Sequence, residues 1–126
     1  MSLARPRTDE EWAKVRHAAM TVVEATNLLI MPGREVARPG EKSQNPGIEL
    51  EPAEIAKLMR AHPDRWVQRA RSLHEAALGA LRAIDARNVD RMEEAGGQMD
   101  QACEHCHFDH WYPNDRRPQS APSMRK

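Results

Sequence analysis

Five residues near the C-terminus, Cys103-Glu104-His105-Cys106-His107, restrict this chain more than any other stretch of it. C-x-x-C-H is the covalent attachment signature of c-type haem. Each thiol adds to one vinyl group of the porphyrin, and the histidine that follows supplies an axial nitrogen to iron. Two intervening residues let both sulfurs reach adjacent vinyls and set the histidine beneath the metal. The run uses both of the chain's 2 cysteines. A chain of 126 residues with 4% aromatics builds one domain with a modest core. A haem adds a large apolar body to that interior, and without it the helices around the motif would face a void.

Two other chemistries use the same residue types. On a helix, Cys103, Cys106, His107 and His110 fall at i, i+3, i+4 and i+7 and share a face, which could offer two sulfurs and two nitrogens to zinc. Structural zinc sites usually draw ligands from two separated elements, and four ligands on one straight helix close a tetrahedron poorly. A redox C-x-x-C usually opens a helix after a strand, and no strand pattern precedes Cys103.

The rest of the chain reads as helix. Ala, Leu, Glu and Arg are abundant, and Val and Ile occur singly rather than in alternating runs. Thr8 with Glu11 three residues on forms a capping-box pattern, followed by Trp12, Val15, Ala19, Val22, Val23, Leu29 and Ile30 at helical spacing until Pro32-Gly33. Residues 32–50 carry Pro32, Pro39 and Pro46 with Gly33, Gly40 and Gly47, a long extended connection that either covers part of the site or moves freely. A short second helix starts at Pro52, carries Ile55, Leu58 and Met59, and stops at His62-Pro63. A third runs from Pro63 through Trp66, Val67, Ala70, Leu73, Ala77, Leu78, Leu81 and Ile84 to Asn88. A fourth runs from Val89 through Met92, Ala95, Met99, Ala102 and Cys106 toward Trp111, with Gly96-Gly97 as a weak point or a place of close approach. The expected architecture is all-α: an antiparallel four-helix bundle over residues 8–113 with a short second helix, a long first loop and a flexible polar tail over 114–126.

Lys+Arg and Asp+Glu balance at 19 each, so no charge excess argues for nucleic acid or an anionic membrane. No apolar run reaches membrane-spanning length, and mean hydropathy is −0.79. No acid–base pair or nucleophile arrangement points to an enzyme; His62 and His74 read as surface or packing residues. Covalent haem attachment normally takes place outside the cytoplasm. The expected location is therefore the periplasm, with an export signal removed from the chain.

If His107 takes one axial position, a distal ligand must come from another helix. His110 projects from the same helix as His107, and His105 points toward solvent. On the first helix His17, Met20 and Met31 remain, each methionine also able simply to fill core space.

The C-terminal placement of Cys103-Glu104-His105-Cys106-His107 on a last helix, together with Arg16-His17-Ala18-Ala19-Met20 on the first, resembles the class II c-type cytochromes. These are cytochrome c-prime and its low-spin, methionine-ligated relatives. Ala83-Ile84-Asp85-Ala86-Arg87-Asn88 through Gly97 is similar to the family's third-to-fourth helix passage, so the likeness covers about residues 9–112. The resemblance implies a single covalent haem c held within the bundle, periplasmic one-electron transfer with redox partner proteins, and self-association as a homodimer. It also implies Met20 as sixth iron ligand beside His107, and Arg16 as partner of a haem propionate. In the five-coordinate branch an apolar residue stands where Met20 does, and the protein binds nitric oxide or carbon monoxide. The chain departs from the family pattern after the motif, where Asp109, His110 and Trp111 replace the usual aromatic and basic residues.

Overall fold

The computed structural model describes residues 5–115 and contains four helices: α1 (Asp9–Leu29), α2 (Pro52–Ala61), α3 (Pro63–Asp85) and α4 (Val89–His110). All four expected helices are present, no strand occurs among the described residues, and the tail beyond residue 115 lies outside them.

Local chemistry sets the boundaries. Thr8 Oγ1 accepts from the Glu11 amide at 3.1 Å, and the Glu11 carboxylate accepts from the Thr8 amide at 3.2 Å, closing a capping box on α1. Pro52 and Pro63 occupy first-turn positions of α2 and α3, where a missing N–H costs nothing. At the α3–α4 turn Arg87 takes a positive φ of 51°, its amide bonds the Ile84 carbonyl, and the Asn88 amide reaches back to the Ala83 carbonyl. This is a Schellman ending made without glycine. The Asn88 side chain then accepts from the Arg91 amide at 3.0 Å and starts α4.

The pairing of side chains fixes directions. Trp12 and Ala19 of α1 join Ala83 and Ile84 of α3 and Met92 of α4 in one cluster. Val23 joins Ala77, Ala80, Ala95 and Met99 in the next. Rising positions on α1 and α4 therefore meet falling positions on α3, which runs antiparallel to both. Alanines give α3 a slim face, buried at Ala70, Ala77, Ala80 and Ala83, so both neighbours pack closely on it. The backbones of α1 and α4 stay more than 8 Å apart, and side chains alone bridge them. His74 is a latch rather than a surface residue: its Nδ1 lies 2.9 Å from Thr26 Oγ1, which donates to the Val23 carbonyl at 2.7 Å.

The other end of the bundle is looser. No residue of α2 is fully buried. The connection from α1 to α2 folds through Pro-Gly turns, in which Glu41 bonds back to Arg38 and Ile48 to Asn45. Gly40 at φ 86° and Gly47 at φ 90° supply the left-handed third position that such a turn needs. Trp66 Nε1 donates to the Leu29 carbonyl at 2.6 Å, and the Leu50 amide donates to the Trp111 carbonyl at 2.7 Å. The ends of α1 and α4 thus find their hydrogen-bond partners in α3 and in the loop.

Candidate functional site

Between the loop, α2, α3 and the last turns of α4 lies a cavity of about 590 Å³. Cys103, Cys106 and His107 all line it, as does His110. Its remaining walls are largely apolar, with Leu29 from α1, Val36 and Leu50 from the loop, Ile55 from α2, and Trp66 and Leu73 from α3. The long connection therefore covers the site. A volume in the range of about 300–1,000 Å³ is what cofactor sites usually enclose. The three motif side chains converge because i, i+3 and i+4 share a helix face. Of the other two motif positions, His105 is exposed and Glu104 half-buried.

Burial governs the chemistry of these groups. It pushes the Cys103 thiol above its ordinary value. It pushes Cys106 up to about 11, helped by the Asp109 carboxylate and opposed by the Arg69 guanidinium. It holds the His107 imidazole below its usual value, against the smaller opposing pull of Glu104. At neutral pH the site thus offers two protonated thiols and a neutral imidazole with a lone pair to give.

Aromatic rings and hydrogen bonds position the imidazoles. Trp111 meets the His107 ring edge-on at 5.1 Å, and Tyr112 lies 5.9 Å away. The Tyr112 hydroxyl donates to Glu104 at 2.6 Å. His110 is 3% exposed; its Nδ1 donates to the Cys106 carbonyl at 3.1 Å, and Trp66 meets its ring edge-on at 5.0 Å. Among the described residues no group of three or more His, Cys, Asp or Glu side chains is gathered so as to hold a metal ion.

The two α1 residues implied by the family resemblance do not line the cavity. Met20 packs against the cluster of Val23, Ala77, Ala80, Ala95 and Met99 and does not line the cavity wall. Leu73, which does line the cavity, packs against the same cluster. Arg16 lies nearer the closed end, its Nε 2.8 Å from Asp85 on α3, with both side chains about half exposed. The residues the sequence left unassigned are Trp66, Leu50, Ile55 and the pair Arg69–Asp109. Only the helical spacing of Trp66, Arg69 and Leu73 signals that they share a face. Comparison of the chain with family models, curated proteins and solved structures yields no match.

Proposed function

We propose that this protein is a monohaem c-type cytochrome that carries single electrons between redox partner proteins of the periplasm. Cys103 and Cys106 form the thioether links and His107 ligates iron. One observation carries the reading: both thiols and the imidazole open on a single, largely apolar cavity of about 590 Å³. Haem supplies the one-electron change between ferric and ferrous iron. The chain supplies the rest. Leu29, Val36, Leu50, Ile55 and Leu73 keep water from the site, and the rings of Trp111 and Tyr112 set the plane of the His107 imidazole.

The position of Met20 favours a second reading, a five-coordinate haem whose open face takes nitric oxide or carbon monoxide. Optical spectra of matured protein in both oxidation states separate the two. Low-spin, six-coordinate ferric iron supports the carrier reading, and a change to high-spin in Met20→Leu would identify Met20 as the sixth ligand. Ferric iron that is high-spin in the wild type and unchanged by that substitution supports the gas-binding reading instead. Protein matured with haem-attachment machinery that stays colourless and binds stoichiometric zinc overturns both.

A further inference from the structure

Haem carries two carboxylates, and a cavity that takes it must either leave them in water or pair them. The basic side chains on the cavity wall are Lys42, from the loop, and Arg69, from α3. Arg69 follows Trp66 by three residues and precedes Leu73 by four, so it belongs to the α3 face that forms the wall. Its Nε donates to Asp109 Oδ2 at 2.6 Å, with the two side chains only 30% and 25% exposed. That bond uses one of the five N–H donors of the guanidinium. Among the described residues no partner other than Asp109 holds Arg69, so the end of the guanidinium turned away from Asp109 has no residue bound to it. A carboxylate bound at the Nε edge fixes the plane of the fork and leaves its end free for a second, end-on carboxylate.

Asp109 is badly placed for any purpose of its own helix. It sits in the last turn of α4, where the helix dipole disfavours an anion. Pairing with Arg69 offsets that cost and directs the cation. Both charges also act on the Cys106 thiol, which puts them beside the attachment point. Lys42, by contrast, has no acid holding it among the described residues, so nothing fixes its direction. Arg16 is already paired with Asp85.

We propose that Arg69, oriented by Asp109, clamps a haem carboxylate end-on through its two terminal amino groups. The proposal rests on the haem reading given above. Its test is the reduction potential of matured protein in Arg69→Gln, Arg69→Lys and the double variant Arg69→Gln/Asp109→Asn, with helix content checked by circular dichroism. The double variant keeps net charge and removes the pair as a unit. If Arg69 clamps the carboxylate, the ratio of reduced to oxidised protein at a fixed poise falls by about three- to tenfold in the double variant, because an unpaired anion beside the haem favours ferric iron. Arg69→Lys restores part of that loss. If Arg69 serves only to hold Asp109, the double variant and Arg69→Lys keep the wild-type ratio, and the proposal is overturned while haem attachment stands. Should the double variant fail to mature, Arg69→Lys at wild-type ratio still overturns it. Wild-type protein that acquires no haem removes the functional reading and this proposal together.

Discussion

Burial keeps both thiols protonated, and Cys106 shows the effect most strongly. Its value is pushed from the ordinary 9.0 to about 11. In haem-free protein, alkylation by iodoacetamide should be slow at pH 8 and rise toward pH 11, whereas urea-unfolded chain should react as an ordinary thiol. A folded value above the unfolded one adds stability that is complete below about pH 9 and lost as pH rises through about 11. The urea midpoint of the haem-free protein should therefore fall across that window; a level midpoint would show that Cys106 is not shielded as described. His107 has the opposite sign. Its folded value lies below the ordinary 6.5, so its burial costs stability as pH drops beneath that value. The motif was readable in the sequence because three side chains at i, i+3 and i+4 depend on nothing beyond one helix. Arg69 and Asp109, separated by 40 residues, were not, because their meeting depends on how α3 and α4 pack. Met20 and Arg16 show the same limit from the other side. Their spacing on α1 resembles a known pattern, yet spacing on one helix does not say which level of the bundle holds the cavity.

Caps and breakers made the four helices legible almost to the residue. Thr8 with Glu11, Pro52, Pro63 and Asn88 each act within one turn, so no tertiary knowledge is needed to see them. Asn88→Ala should cost about 1 kcal/mol in chemical denaturation by freeing the Arg91 amide. Gly97 gives the converse test. A β-carbon built there meets nothing within 4 Å, so close approach does not require the glycine. Gly97→Ala should stabilise α4 by about 0.5–1 kcal/mol, and a destabilised variant would contradict that open space. The loop was only half readable. Its Pro-Gly turns are local and were visible, but its role as a cavity wall comes from the bond between Leu50 and the end of α4.

Taken whole, the bundle is tight at one end and hollow at the other. Ala77, Ala80 and Met92 are 0% exposed at the tight end. Met92→Ala should cost about 2–5 kcal/mol, and Ala80→Leu about 1–3 kcal/mol through overpacking; losses well below 1 kcal/mol would mean that this end is loose. The hollow end is where α2 has no buried residue and where Cys103, Cys106 and His107 face the cavity. A body that fills this space and is anchored to α4 would tie the loop, α2 and α3 together. The intact mass of protein exported through haem-attachment machinery, combined with a count of reactive thiols after unfolding, addresses that claim directly. The account predicts an increase equal to one haem and no reactive thiol; an unchanged mass with both thiols reactive would contradict it.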